Sequence, residues 1–382
     1  MSSSSNPLLR LQEFGQSVWF DNIGRGLISS GQLKRYVDED GLRGVTSNPA
    51  IFEKAIAHSR DYDTAIAEAT ASGRHPEAQD LFEHLAIEDI RMAADVLRGV
   101  YDATQRGDGY VSLEVSPLLA HDTAATLAEA RRLWKAVGRP NVMIKIPGTP
   151  AGVPAIRDAI RDGVNINVTL LFSIAAYEAV ADAFVHGLEA RAAAGADIAG
   201  VASVASFFVS RIDTMVDAEA AKRLETEKDP AVRSALQAVA GKTAVANARL
   251  AYQVYKRRIA EPRWRALAAK GAMPQRLLWA STGTKNPAYS DVLYVEELIG
   301  PETVNTLPNA TFDAFRDHGK VAATLDARID EAKATMAALA KAAISLDAVT
   351  DQLLSDAVRL FADPFRSLLG ALEAKRRALS AA

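Results

Sequence analysis

The sequence contains no cysteine among its 382 residues. This absence excludes disulfides, thiolate nucleophiles, iron–sulfur clusters and every zinc site that needs a cysteine ligand. Histidine is scarce as well, with only six residues, and no two of them have the HxxxH spacing of a helical zinc pair. Lysine, carboxylates and hydroxyls are therefore the side chains that remain for catalysis, and we expect no metal site.

Long apolar runs and an excess of positive charge are also missing. No run approaches the roughly 18 residues of a membrane helix, and the serine-rich start, MSSSSN, lacks the basic and apolar regions of a signal peptide. The net charge of −3 gives no basic stripe for a nucleic acid. Hydrophobic residues make up 49% of the chain, which is enough for a sizeable core. We expect a cytoplasmic protein without a membrane or nucleic-acid partner.

Eight short runs of strand-like composition alternate with stretches of helical periodicity, which is typical of parallel α/β folds. The count of eight favours a (β/α)8 TIM barrel over a doubly wound sheet, and no GxGxxG follows the first run. The predicted strands are Ser17–Asp21, Gly44–Asn48, Tyr110–Val115, Asn141–Pro147, Asn165–Leu171, Gly200–Ser206, Arg276–Thr282 and Asn305–Asn309.

Extra helices are predicted within the barrel sequence and after it. Residues 207–270 show helical periodicity, with breaks expected near Pro230 and Pro262, and a third break is expected at Asp363–Pro364 in the last helix. We predict a single domain over residues 1–382, with the barrel at about 15–320 and a C-terminal helical extension at about 320–382. The terminal helices could cover the barrel or form the contact of a homodimer.

Polar or ionisable side chains stand at the ends of seven of the eight predicted strands. In a barrel these ends converge on the C-terminal mouth, where active sites lie. Taken alone, any one of them could equally be an ordinary loop residue at a strand terminus, but the repetition over seven strands favours a functional site. The residues are Asp21, Thr46, Asn48, Glu114, Lys145, Asn167, Thr169, Ser206 and Ser281.

Lys145 is the most unusual of these residues, because apolar strand formers flank it in Val142–Pro147. Desolvation disfavours an ammonium ion and lowers its pKa, and a neutral amine can form a Schiff base with a carbonyl. The ordinary alternative is a strand-end lysine whose ammonium reaches water or pairs with a carboxylate. Glu114 and Asp21 supply the carboxylates that a Schiff-base reaction needs for proton transfer.

These residues resemble the transaldolase family of class I Schiff-base aldolases, in the form of its longer bacterial branch. The resemblance implies transfer of a dihydroxyacetone unit from sedoheptulose 7-phosphate to glyceraldehyde 3-phosphate, giving erythrose 4-phosphate and fructose 6-phosphate. It places the reaction in the non-oxidative pentose phosphate pathway and implies no cofactor. Six motifs carry it in order: VTSNPAIF (Val45–Phe52), VSLEVSP (Val111–Pro117), NVMIKIPGT (Asn141–Thr149), NINVTLLFS (Asn165–Ser173), SFFVSRID (Ser206–Asp213) and LLWASTGTKNP (Leu277–Pro287).

The resemblance also implies roles for individual residues. Lys145 matches the Schiff-base lysine, Glu114 the glutamate that moves protons through a water, and Asp21 the acid and base at the donor's C4 hydroxyl. Thr169 matches the threonine that helps hold the catalytic water. The residues expected to bind substrate are Thr46, Asn48, Asn167, Ser206, Phe208, Arg211, Ser281 and Lys285.

The phosphate grip departs from the family's better-known pattern. Arg211 matches its phosphate-binding arginine, but where shorter members carry a second arginine this chain has Lys285 within Thr282–Asn286. A lysine binds phosphate as a point charge and lacks the bidentate guanidinium fork. Backbone N–H groups around the glycine of TGT could also bind the phosphate, by forming the anion-binding concavity known as a nest.

Two alternatives remain open on the sequence. A fructose-6-phosphate aldolase of the same superfamily would release free dihydroxyacetone, but that group is shorter and has glutamine at the position of Glu114 and tyrosine at the position of Phe208. A non-catalytic barrel that binds a partner through its helical additions is the other alternative. The full set of polar residues at the strand ends argues against it.

Overall fold

The computed structural model describes residues 6–73, 75 and 77–380. Eight parallel strands close into a barrel whose strand order follows the chain, which confirms the predicted (β/α)8 fold. The strands are β1 (Gln16–Phe20), β2 (Gly44–Val45), β3 (Tyr110–Glu114), β4 (Val142–Pro147), β5 (Ile166–Leu171), β6 (Ser203–Phe208), β7 (Arg276–Ala280) and β8 (Thr303–Leu307).

The strands are buried on both faces, because helices surround the barrel and side chains fill its interior. Every residue of β4, β5, β6 and β8 is buried. The boundaries differ most from prediction at β6 and β8. Pairing with β7 continues to Phe208, beyond the predicted end of β6. Pro308 has no N–H for the ladder and precedes a helix that begins at Asn309, so β8 ends at Leu307.

Seventeen α-helices and two 3₁₀-helices (Leu11–Phe14 and Pro117–Leu119) accompany the strands in the described part of the chain. None of the helices described there combines the length and the hydropathy that a bilayer crossing requires. The α-helices are α1 (Pro7–Arg10), α2 (Arg25–Ser29), α3 (Gln32–Asp40), α4 (Pro49–Ala57), α5 (Asp63–Ala71), α6 (Ala78–Ala103), α7 (Thr123–Val137), α8 (Gly152–Arg161), α9 (Ile174–Ala193), α10 (Ser210–Leu224), α11 (Pro230–Val239), α12 (Thr243–Ala260), α13 (Pro262–Ala268), α14 (Leu293–Glu296), α15 (Asn309–His318), α16 (Ile329–Lys341) and α17 (Leu346–Ser380).

Two of the predicted helix breaks are confirmed. Pro230 and Pro262 each occupy the first turn of a helix, where the missing N–H of proline has no cost. The side chain of Asp229 also caps α11, because its Oδ1 accepts a hydrogen bond of 2.7 Å from the N–H of Ala231. Four successive helices, α10 to α13, therefore fill the long interval between β6 and β7.

The predicted break at Asp363–Pro364 is wrong, because α17 continues through Pro364 to Ser380. A proline inside a helix costs about 3 kcal/mol. The helix packs against α4, α5 and α6 and buries Phe361, Phe365, Leu368 and Leu372. Burying one large apolar side chain contributes about 1.5–3 kcal/mol, so four of them more than offset the proline.

Candidate active site

A cleft of about 760 Å³ opens at the carboxyl ends of the strands. Two of the twelve predicted site residues, Glu114 and Asn167, lie outside its lining, and the other ten line it. Those ten come from six different strands or the segments that follow them, as the convergence of strand ends in a barrel requires. They are Asp21, Thr46, Asn48, Lys145, Thr169, Ser206, Phe208, Arg211, Ser281 and Lys285.

Lys145 lies in the middle of the cluster, on β4. In the strand register it faces Glu114 of β3 on one side and Asn167 of β5 on the other. Its Nζ donates a hydrogen bond of 2.8 Å to the main-chain oxygen of Ser47, and the residue is only 5% exposed. The amine is therefore held at the floor of the cleft by a fixed carbonyl rather than reaching bulk water.

Glu114 lies directly beside this amine. Its Oε2 is 3.3 Å from Nζ of Lys145, and both side chains are almost fully buried. Within the described part of the chain neither carboxylate oxygen has a hydrogen-bond partner of good geometry. Burial raises the pKa of Glu114, the charge of Lys145 opposes that rise, and the charge of Asp21 adds to it. Glu114 also lines a small second cavity, and Asn48 lines both that cavity and the cleft.

Asp21 follows β1 and is held by the end of β2. The hydroxyl of Thr46 donates a hydrogen bond of 2.6 Å to Oδ1 of Asp21. The same hydroxyl oxygen lies 2.8 Å from that of Thr306, at the end of β8. Burial raises the pKa of Asp21, whereas Lys145 and then the hydrogen bond from Thr46 are the strongest of the effects that lower it.

A chain of side-chain hydrogen bonds lies beneath the cleft floor. Ser206 Oγ donates to Asn167 Oδ1 at 2.7 Å, and Asn167 Nδ2 donates to Ser112 Oγ at 3.0 Å. Because Asn167 is fully buried and accepts the hydrogen bond of Ser206, it fixes the orientation of the Ser206 hydroxyl. Thr169 is buried as well, and its hydroxyl has no hydrogen-bond partner among the described residues, so it can hold a water or a substrate hydroxyl.

Two cations lie on the wall of the cleft formed after β6 and β7. Arg211 is in the first turn of α10, and its guanidinium lies over the ring of Phe208, 5.7 Å from the centroid. Lys285 is in the exposed segment after β7. Ser281, which follows β7, also lines the cleft, and its Oγ is 3.1 Å from that of Ser210. A site with two cations on one wall is suited to a phosphate group.

Several lining residues were missed by the sequence reasoning. Thr306 lies one residue before the end of β8, near its strand end as other site residues are, so the same signal could have found it. Phe361 reaches the cleft from α17, more than 50 residues beyond the last strand, and no local pattern indicates it. Arg25 on α2 and Lys54 on α4 add two further cations to the lining.

A closed barrel whose mouth holds a buried lysine beside one carboxylate and near a second belongs to the class of proteins equipped to form a Schiff base with a carbonyl substrate. The profile of the Transaldolase/Fructose-6-phosphate aldolase family matches residues 18–372. The chain belongs to this family, and the predicted family is confirmed.

Individual relatives agree over nearly the whole length. The chain is 51% identical over 378 residues to "Transaldolase 2" of Nostoc sp., which covers 98% of this chain and 99% of the relative. It is 50% identical over 378 residues to "Transaldolase" of Trichodesmium erythraeum, with the same coverage of 98% and 99%. It is 49% identical over 359 residues to "Transaldolase" of Thiobacillus denitrificans, with coverage of 94% and 97%.

Proposed function

We propose that this protein transfers a dihydroxyacetone unit from sedoheptulose 7-phosphate to glyceraldehyde 3-phosphate through a Schiff base on Lys145. The products are erythrose 4-phosphate and fructose 6-phosphate. The enzyme class, transaldolase, is confirmed by the family and by relatives about 50% identical over nearly the whole chain. Sugar phosphates as substrates and a location in the cytoplasm, within the non-oxidative pentose phosphate pathway, are parts of this proposal.

In the first step the neutral amine of Lys145 attacks the ketone carbon of the donor. The carbinolamine that forms loses its hydroxyl group as water, and this step needs a proton delivered to the leaving oxygen. Glu114 supplies that proton through a water held with Thr169. Burial supports this role, because the raised pKa of Glu114 lets the carboxyl carry a proton closer to neutral pH than an exposed glutamate does.

In the second step Asp21 removes the proton of the C4 hydroxyl. The bond between C3 and C4 breaks, its electron pair moves into the iminium, and an enamine of dihydroxyacetone stays on Lys145. Erythrose 4-phosphate leaves as the aldehyde. The hydrogen bond of 2.6 Å from Thr46 orients the carboxylate of Asp21 and favours its ionised form.

In the third step the enamine carbon attacks the aldehyde of glyceraldehyde 3-phosphate, and Asp21 returns its proton to the new alkoxide. Hydrolysis of the imine with Glu114 as proton carrier releases fructose 6-phosphate and restores the amine. Arg211 and Lys285 bind the phosphate throughout. Hydroxyls and amides along the mouth bind the sugar, with Thr46, Asn48, Ser206 and Ser281 in the lining and Asn167 acting from beneath Ser206.

A single-domain organisation over 1–382 is part of the same proposal. It is supported by the contacts of α17 with α4, α5, α6 and α10, and by the place of Phe361 in the cleft lining. The C-terminal extension thereby contributes to the site that the barrel forms.

The observation that carries the proposal is the 3.3 Å approach of the Lys145 amine to Glu114 at the floor of the cleft. The test is a coupled assay that follows sedoheptulose 7-phosphate and glyceraldehyde 3-phosphate to the two products. Lys145→Met is expected to abolish transfer, since methionine fills the space without an amine. Lys135→Met, at an exposed position of α7, is the matched control and should keep wild-type activity.

The fructose-6-phosphate aldolase alternative is separated by the same assay. A transferase holds the dihydroxyacetone unit until an acceptor arrives, so omission of the acceptor should stop turnover. Steady release of free dihydroxyacetone without an acceptor would contradict the proposal. A protein without activity on either reaction would leave the partner-binding barrel as the better account.

A further inference from the structure

The segment that carries Lys285 forms a compact loop on the rim of the cleft. The hydroxyl of Thr284 donates a hydrogen bond of 2.8 Å to the main-chain oxygen of Ser290, which closes the loop. Asn286 stabilises its turn by accepting a hydrogen bond of 2.9 Å from the N–H of Ala288. From Lys285 to Ser290 every residue is exposed except Tyr289. Tyr289 is thus the residue of this stretch whose side chain is partly covered by the rest of the protein.

Tyr289 makes two close contacts. Its phenol donates a hydrogen bond of 2.8 Å to Oδ2 of Asp217. Its ring lies against Gly241, where a Cβ atom would come within 2.7 Å of the ring carbon Cζ. Asp217 is fixed in turn, because its Oδ1 accepts a hydrogen bond of 2.9 Å from the N–H of Gly241. Burial, and after it the contact with Asp217, raises the pKa of Tyr289 to about 12, so the phenol keeps its proton at neutral pH.

Asp217 is on α10, the helix whose first turn holds Arg211. The hydrogen bond from Tyr289 therefore joins the loop of one cation to the helix of the other. We infer that the Tyr289–Asp217 hydrogen bond positions Lys285 relative to Arg211 and so sets the affinity of the cleft for the phosphate of a sugar-phosphate substrate. The inference rests on the phosphate site of the proposed function. Tyr289 and Asp217 are positioning residues, since both act through Lys285.

The need for such an attachment follows from the chemistry of lysine. An exposed lysine carries several rotatable bonds, and holding it near an anion has an entropic cost that a fixed main chain reduces. An arginine fork would fix its own geometry on phosphate through two hydrogen bonds, whereas the ammonium of lysine is a point charge. Because this chain has Lys285 in place of the arginine, its phosphate binding therefore depends more on the loop being held in position.

The test compares Tyr289→Phe with wild type in two measurements. The first is the dissociation constant of inorganic phosphate, measured by calorimetry, which does not depend on catalysis. The second is KM and kcat for glyceraldehyde 3-phosphate. Loss of one hydrogen bond corresponds to a change of about two- to tenfold. We expect the phosphate dissociation constant and KM to rise together by such a factor, with kcat within about twofold of wild type.

The controls separate positioning from stability. Tyr294→Phe removes the other phenol that binds a carboxylate of α10, the 3.0 Å hydrogen bond to Asp213, and should lower the melting temperature without changing phosphate affinity. In the Lys285→Met background, Tyr289→Phe should add no further loss of affinity. Unchanged phosphate affinity in Tyr289→Phe overturns the inference. So does a loss of affinity on Tyr289→Phe that is as large in the Lys285→Met background as in wild type. If transfer activity is absent while Tyr289→Phe still weakens phosphate, the proposed function fails and the positioning of Lys285 stands.

Discussion

Glu114 and Lys145 face each other across adjacent strands, with the carboxylate Oε2 3.3 Å from the amine Nζ. The pair lies almost entirely out of water, where burial raises the pKa of Glu114 and the charge of Lys145 opposes that rise. This arrangement is what the proposed chemistry requires, because formation and hydrolysis of an imine both need proton transfer beside the amine.

Replacement of Glu114 by glutamine removes the proton carrier and keeps the shape of the side chain. We expect kcat to fall by about 10²- to 10⁴-fold with little change in KM, as measured in the transfer assay. Glu129→Gln is the matched control, because Glu129 lines the same small cavity but binds the N–H of Ser116 at 2.8 Å. Its kcat should stay near wild type, and a Glu114→Gln enzyme of nearly normal kcat would refute the assigned role.

Thr46→Val removes the hydrogen bond that favours the ionised form of Asp21. The pKa of Asp21 should rise, so the acidic limb of the kcat/KM profile should move to higher pH by up to about one unit. Thr306→Val is the control, because Thr306 contacts the oxygen of Thr46 and not Asp21. An acidic limb that stays in place in Thr46→Val would show that Asp21 is not the group that titrates in the profile.

Phe208→Tyr should convert part of the transfer into release of free dihydroxyacetone. The ring of Phe208 lines the cleft beside Arg211, so an added phenol could orient and activate a water. We expect release in the absence of acceptor to rise by at least about tenfold, measured with a dehydrogenase that consumes dihydroxyacetone. An unchanged rate of release would count against this role of Phe208.

Asp213 makes the stability depend on pH. Burial raises its pKa to about 7, against the hydrogen bonds from the N–H of Ala244 and the phenol of Tyr294. Because the folded state holds the proton to higher pH than the unfolded state, stability is greatest below the unfolded pKa and is lost as pH rises to about 7. Between pH 5 and 8 the contribution is about 2–3 kcal/mol.

Asp213→Asn should therefore make the free energy of unfolding depend less on pH. Asparagine can accept from Ala244 and donate to the oxygen of Tyr294, so the local hydrogen bonds are kept. Urea unfolding at pH 5 and pH 8 measures the effect as a smaller difference between the two free energies of unfolding than in wild type. An equal difference in both proteins would show that another group is responsible.

The sequence predicts the barrel and most of the site because both depend on local patterns. A lysine between apolar strand formers and carboxylates at strand ends are visible in a few residues, and the closure of the barrel brings them together. Contacts between distant segments leave no such signal. The main-chain oxygen of Ser47 that holds Lys145, and Phe361 in the cleft, depend on packing between segments remote in sequence.

The wrong prediction at Pro364 has the same origin. A proline after Asp363 favours a helix end when only local conformation is considered. The apolar side chains of α17 gain more from packing on α4, α5 and α6 than the proline costs, and this gain is a property of the assembled fold. The attachment of the Lys285 loop through Tyr289 and Asp217 was missed for a similar reason, because the two residues are 72 positions apart.

The most direct test of the account is borohydride reduction in the presence of fructose 6-phosphate, followed by intact-mass measurement and mapping of the modified peptide. Reduction converts a dihydroxyacetone imine into a stable amine, so one adduct on Lys145 is predicted, with none on Lys145→Met. An adduct on a different lysine, or equal labelling of Lys145→Met, would contradict the assignment of Lys145 as the nucleophile.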